Sequence, residues 1–208
     1  MPSVILASQS PRRRELLHDM GVKFDVIPSN FQEALDESRD AALVAKELAL
    51  GKALDVARQH PEAIVIGSDT IVAINGRQME KPIDIEDARE MLIALSKGES
   101  TVSTGVAVVC LARGIQLTDV MTSRVFFKPD SPAVTAAREV YLASDDWHDK
   151  AGGYGIQSGA APLIAGIDGA YDAIIGLPTE LLARMLRTFD ITASATNLQS
   201  PVPHIKQG

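Results

Sequence analysis

The strongest constraint on the fold lies at the start of the chain. Val4-Ile5-Leu6-Ala7 is a short apolar run that stops at Ser8, and Pro11 then opens a helical pattern reaching Met20 and closed by Gly21. Ser10 suits an N-cap and Pro11 suits the first helical position, where its missing N–H is no loss. The first turn of this helix carries Arg12, Arg13 and Arg14. The N-terminal end of a helix is already positive, so cations there are disfavoured by roughly 0.3–1 kcal/mol each at exposed sites. Arginines beside free backbone N–H groups and the Ser8 and Ser10 hydroxyls suit a bound anion, for which phosphate is the usual candidate. The plainer alternative is a solvated basic turn with Glu15 as partial counter-charge.

Strand and helix patterns alternate along the rest of the chain. Phe24–Pro28 reads as a second strand, and Ala41–Gln59 as a long helix with apolar residues at helical spacing. Two β-branched runs, Ala63–Ile66 and Thr70–Ile74, precede Asn75-Gly76, a hairpin-turn signal. Ile85–Ser96 and Ser131–Ser144 read as helices, Thr101–Leu111 and Leu117–Phe127 as paired strands. Gly152–Gly159 is a glycine-rich loop; Leu163–Ile167 and Ala173–Ile175 read as short strands and Thr179–Phe189 as the last helix. The expectation is one α/β domain over residues 1–191, a mixed twisted sheet with flanking helices in two lobes around a cleft. Residues 192–208 are polar, proline-bearing and without periodicity, and are expected to be a disordered tail.

A net charge of −7 argues against a general nucleic-acid binder, which would normally show a basic surface. A phosphate ligand must then be met by local positive charge, in a small focused pocket. No window holds the roughly eighteen apolar residues of a membrane span. His18, His60, His148 and His204 are scattered with no zinc-site spacing, and three of them are expected at the surface. Cys110 is the only cysteine, set in an apolar run, and reads as a buried, inert thiol suited to a reducing cytoplasm.

Charge also stands where it is disfavoured. Asp69 interrupts an apolar stretch from Ala63 to Ile74, and an ionised carboxylate there must be paired or must coordinate a cation. Gly67 just before it suggests a bulge or a close backbone approach. Asp69 is thus the leading catalytic or metal-binding candidate. Glu33, Asp36 and Glu37 form an acidic loop-like stretch, and hard divalent cations take carboxylates and substrate phosphates together. Asp149-Lys150-Ala151-Gly152-Gly153-Tyr154-Gly155-Ile156-Gln157 lets backbone come close to a ligand, and Gln157 offers a donor and an acceptor suited to a base edge. It does not match a P-loop or a dinucleotide fingerprint.

Taken together, these segments resemble the Maf family of nucleotide pyrophosphatases. The motifs that carry the resemblance are Leu6-Ala7-Ser8-Gln9-Ser10-Pro11-Arg12-Arg13, Gly67-Ser68-Asp69-Thr70, Lys81-Pro82, Thr104-Gly105-Val106, Asp149-Lys150-Ala151-Gly152 with Tyr154-Gly155-Ile156-Gln157, and Gly176-Leu177-Pro178. The resemblance spans about residues 3–190. It implies a fold akin to inosine-triphosphate pyrophosphatases, often a homodimer. It also implies hydrolysis of a nucleoside triphosphate between the α- and β-phosphates with a divalent cation, Mg²⁺ or Mn²⁺. By the same resemblance Ser8, Arg13, Lys52 and Lys81 match the phosphate-binding set. Glu33 and Asp69 match the metal and catalytic acids, with Asp69 as proton acceptor. Arg12, Thr70 and Gln157 match the branch acting on dTTP and UTP. Leu95-Ser96-Lys97-Gly98 departs from the family's usual Leu-Ser-Gly. Two other readings remain open: the same chemistry on modified pyrimidine nucleotides, or a nucleotide-binding regulator of cell division, which loss of an acidic residue would favour.

Overall fold

A computed structural model describes residues 3–32 and 39–205. Its seven strands form one mixed sheet: β1 (Val4–Leu6), β2 (Asp25–Val26), β3 (Ile64–Ile74), β4 (Arg77–Met79), β5 (Ser100–Cys110), β6 (Ile115–Phe127) and β7 (Ile164–Asp168). The order is β2-β1-β3-β5-β6-β7, with β4 joined to β3 by the hairpin turn at Asn75-Gly76. β1 runs parallel to β2 and β3; the other pairings are antiparallel. Around the sheet lie α1 (Pro11–Asp19), α2 (Ala41–Ala57), α3 (Ile85–Leu95), α4 (Pro132–Leu142), α5 (Tyr171–Ile175) and α6 (Thr179–Leu186).

Both faces of the sheet are covered, so its central strands are apolar on both sides. Along β3 the side chains alternate. Ile64, Ile66 and Val72 join the large core formed with Leu16 and Leu17 of α1, Leu92 and Leu95 of α3, Leu142 of α4 and Leu182 of α6. Val65 and Ile71 point the other way, against α2. The inner stripe of α2 is Ala45, Ala49, Ala53 and Ala57, all buried at four-residue spacing. These small side chains meet glycines on the sheet. A Cβ on Gly67 would lie 2.2 Å from the Ala49 carbonyl oxygen, and one on Gly105 would lie 2.2 Å from that of Ala45. Helix and sheet therefore touch backbone to backbone, and Gly67 marks this close approach; its pairing with Ala107 continues the ladder without a bulge.

Several expectations need correction. Gly67-Ser68-Asp69 does not divide the strand: β3 is continuous for 11 residues, its ladder with β5 unbroken from Val65 to Ile74. Residues 24–28 supply only a two-residue strand, β2. Ala173–Ile175, expected as a strand, lies in the helical turn α5. The side chain of Asp172 accepts from Ala173 N, and its carbonyl accepts from Gly176 N and Leu177 N, so local capping overrides the β preference of two isoleucines.

The stretch after residue 191 departs most from expectation. Residues 192–205 lie against the body. Ser194 N donates to Met20 O and Thr196 N to Thr179 Oγ1. Val202 is buried, and Ile167 exchanges bonds with Pro203 O (2.9 Å) and Ile205 N (2.7 Å). A few apolar anchors and backbone pairing with β7 suffice to dock this segment without a periodic face. Cys110 is buried and free, as its sequence context implies, and His18, His148 and His204 are exposed. Among the described residues no helix is long and apolar enough to cross a membrane.

Ending the chain at Ile191 removes the buried Val202 and the pairing with β7. Thermal melting of that truncated chain is expected to fall by about 5 °C, taking roughly 2 kcal/mol for a buried valine with its neighbours. Gly105→Ala inserts a methyl against the Ala45 backbone and should lower stability by about 1–3 kcal/mol in urea unfolding.

Candidate active site

A cleft of about 870 Å³ opens where the start of α1, the middle of β3, the segment after β4 and the 149–158 loop converge. Ser8, Arg12, Arg13, Lys52, Asp69, Thr70, Lys81 and Gln157 all line it. Glu33, with Asp36 and Glu37, lies outside the described residues. Arg14 faces away, in a separate shallow groove with His18 and Phe24, so two of the three arginines of α1 serve the cleft.

The N-terminal wall follows from local capping. Ser10 caps α1, its side chain accepting from Arg13 N at 3.4 Å, and Ser8 Oγ accepts from Ser10 N at 3.2 Å. The Arg13 side chain turns inward. Its Nε donates to Gly176 O (2.9 Å), Nη1 to Ser8 Oγ (3.3 Å) and Nη2 to Thr70 Oγ1 (3.0 Å). Gly176 has φ +129° and a Cβ there would sit 3.3 Å from Arg13 Nε, so glycine suits both the backbone and the contact.

Alternation along β3 splits the motif between the two faces of the sheet. Asp69 points toward α2, on the side of Gly67, and Lys52 Nζ of α2 donates to its Oδ1. The two side chains are only 13% and 10% exposed, so each charge has its partner where solvation is poor. Ser68 and Thr70 point to the opposite face. The single Ser68 hydroxyl proton is shared between the carbonyls of Gly105 (2.9 Å) and Gly176 (3.0 Å), while Thr70 Oγ1 lies 2.9 Å from Thr104 Oγ1. The Thr70 hydroxyl is thus already engaged on the Arg13 side.

The far wall is held by contacts that sequence reading did not single out. Tyr141 Oη accepts from Gly155 N at 3.0 Å, and burial pushes its phenol up to about 12, so it stays neutral. Gly152 N donates to Glu80 O, tying the glycine loop to the segment bearing Lys81. Gln157 and Lys81 are exposed at the mouth. Asp149 bridges toward Arg12 at 3.7 Å across the mouth. Partial burial raises its carboxyl, but the Lys150 ammonium bonded to it and the nearby Arg12 outweigh this and hold it below its ordinary value. Near Lys52, Phe31 rests on Gly51 of α2, and Asp55 Oδ2 takes Ser29 Oγ (3.0 Å) and Asn30 N (2.8 Å). Phe31 is an aromatic in a chain poor in them, a signal available in the sequence.

Among the described residues no group of three or more His, Cys, Asp or Glu side chains is placed to hold a metal ion. Among the described residues the cleft holds one buried carboxylate, Asp69, beside cations, with Glu80 and Asp149 exposed at its rim. Such a donor set does not make an all-protein cage. It does fit a magnesium-like ion, which takes one or two carboxylates and completes its shell with water and substrate phosphate oxygens.

Fold and cleft define an α/β protein whose polar pocket sets a helix N-terminus, three lysines and two arginines around one buried carboxylate. The chain belongs to the Maf-like protein family, whose pattern matches residues 3–189. It is 42% identical over 187 residues to the dTTP/UTP pyrophosphatase of Vibrio cholerae, covering 89% of this chain and 97% of that protein. To the dTTP/UTP pyrophosphatase of Deinococcus radiodurans it is 43% identical over 196 residues, covering 92% and 95%. To that of Shouchella clausii it is 40% identical over 191 residues, covering 92% and 97%. A solved HAM1 protein from Coxiella burnetii superposes with a TM-score of 0.47 at 15% identity, over 90% of this chain and 100% of that one, a likeness too distant to bear on function.

Proposed function

We propose that this chain hydrolyses dTTP and UTP between the α- and β-phosphates, giving the nucleoside monophosphate and pyrophosphate. What carries this reading is the meeting of Ser8, Arg13, Lys52 and Lys81 with the buried Asp69 carboxylate in a single cleft. The relatives named dTTP/UTP pyrophosphatase, matched along most of both chains, support the reaction and the substrate pair.

In this mechanism the chain mainly positions and neutralises. Ser8, the amide end of α1 and Arg13 take phosphate oxygens at one wall, and Lys81 meets them from the other. The arriving triphosphate draws Lys52 toward its oxygens and loosens the ion pair with Asp69. The freed carboxylate orients a water molecule and accepts its proton as the water's oxygen bonds to phosphorus and the anhydride bond breaks. Glu33 and Asp69 would hold a divalent cation, Mg²⁺ or Mn²⁺, which when bound neutralises phosphate charge. Gln157 reads the O and N–H edge shared by uracil and thymine, with Arg12 at the phosphate end and the small Thr70 leaving room for the base. A base of the opposite pattern offers Gln157 no matching edge, leaves its amide unpaired under the bound base, and is disfavoured. The same reading includes a homodimer, tested by light scattering, and a cytoplasmic setting, which the lone buried thiol of Cys110 supports. Its cellular use would be removal of surplus or chemically altered nucleotides.

Pyrophosphate release across a panel of nucleotides, with and without Mg²⁺, tests the proposal. dTTP and UTP should run well ahead of ATP, dATP and GTP, and activity should vanish on chelation. A preference for purine triphosphates would overturn it. Asp69→Asn keeps size and hydrogen bonding, and turnover should fall at least about 10²-fold with the fold retained by circular dichroism. More than a tenth of the rate remaining would remove Asp69 from this role. Gln157→Glu should shift the dTTP-to-GTP ratio more than it slows turnover, and an unchanged ratio would take base reading away from Gln157.

A further inference from the structure

Thr104 belongs to a motif with no role assigned so far, and it sits behind the cleft wall with no exposed surface. On β5 it stands directly opposite Thr70 of β3. Its Oγ1 donates to the Ala173 carbonyl of α5 at 2.7 Å and lies 2.9 Å from Thr70 Oγ1. A hydroxyl has one proton, and a guanidinium can only donate. With the Thr104 proton on Ala173, the proton between the two threonines comes from Thr70. The lone pair left on Thr70 then receives Arg13 Nη2, 3.0 Å away. Every link has one direction: Arg13 to Thr70, Thr70 to Thr104, Thr104 to the Ala173 carbonyl.

We infer that Thr104 is a positioning residue for the triphosphate-binding arginine. It fixes the hydroxyl rotor of Thr70 so that Thr70 always accepts from Arg13, and the guanidinium is held in the direction of the incoming anion. Without the Thr104 oxygen, the Thr70 proton loses its acceptor and turns freely, including toward Arg13, where donor meets donor. Arg13 then keeps Ser8 and Gly176 but loses a fixed third contact. Ser68 reinforces the frame, because its hydroxyl bonds the same Gly176 carbonyl that receives Arg13 Nε. Thr70 thus serves the phosphate end of the substrate through its hydroxyl, while its small size serves the base.

This inference rests on the nucleoside triphosphate reading, so the wild-type chain is assayed first on dTTP and UTP. Absence of turnover there sinks that reading, whereas the Thr104 variants decide the relay. Thr104→Val keeps shape and removes the hydroxyl. KM for dTTP and Kd for inorganic pyrophosphate, measured by calorimetry, are expected to rise together about fivefold to tenfold, with kcat within about threefold. Thr104→Ser restores the hydroxyl and should bring both back to within about twofold of wild type. On an Arg13→Lys background, Thr104→Val should add little, because the group it orients is gone. Wild-type KM in Thr104→Val overturns the inference. So does a loss that Thr104→Ser shares, or a full additional loss on the Arg13→Lys background, which would mark a merely structural role. Should Thr104→Val not fold, Thr70→Val breaks the chain one link nearer Arg13 and is judged by the same double-mutant comparison.

Discussion

The cleft depends on how closely α2 lies on the sheet. Backbone touches backbone at Gly67 and Gly105, where the buried alanine stripe of α2 faces the sheet. That spacing lets Lys52 reach Asp69 with both groups largely shielded from water. Two charges so placed are stable only as a pair, since each alone would lose its hydration without replacement. A helix set further out would admit water and weaken the field that the two groups exert on a ligand. The ordinary packing choice of small residues on a helix face is therefore also an electrostatic one.

A second dependence runs through the Gly176 carbonyl. Arg13 of the first helix and Ser68 of the central strand both donate to it, although they are far apart in sequence. Its position is set by Asp172, whose carbonyl takes Gly176 N and whose carboxylate takes Thr179 N and Oγ1. Thr196 in turn donates to Thr179. Thr196 thus braces Arg13 through a short series of hydrogen bonds that reaches the cleft only at its last link, from Arg13 to Gly176.

Much of this was legible in the sequence where one residue type has one physical role. Ser10 and Pro11 as cap and first turn, Asn75-Gly76 as a hairpin, and Asp69 as a charge needing a partner all followed from local chemistry. The partner itself did not, because Lys52 and Asp69 meet only through the docking of α2. Ala173–Ile175 misled because a short apolar run has no period of its own, and the turn is closed by the Asp172 carbonyl, which takes Gly176 N and Leu177 N. The last residues misled for a related reason: their anchors, Val202 and Ile205, are isolated, and their backbone pairs with a strand far away in sequence. Thr104 stood within a matched motif, but its role did not show, since its importance is the direction of a proton.

The docked end of the chain has one more consequence. A sheet is vulnerable where its outermost strands show unpaired backbone groups, which can recruit a strand from another molecule and begin aggregation. At one end of this sheet β2 is only two residues long, too short a template. At the other end β7 would be open, but the bridge between Ile167 and His204 lays the chain's own terminal residues along it. The lack of a side chain at Gly166 leaves room for Ile205 there. Residues 203–205 therefore occupy the edge of β7 at Ile167, where the backbone groups would otherwise be open to another strand.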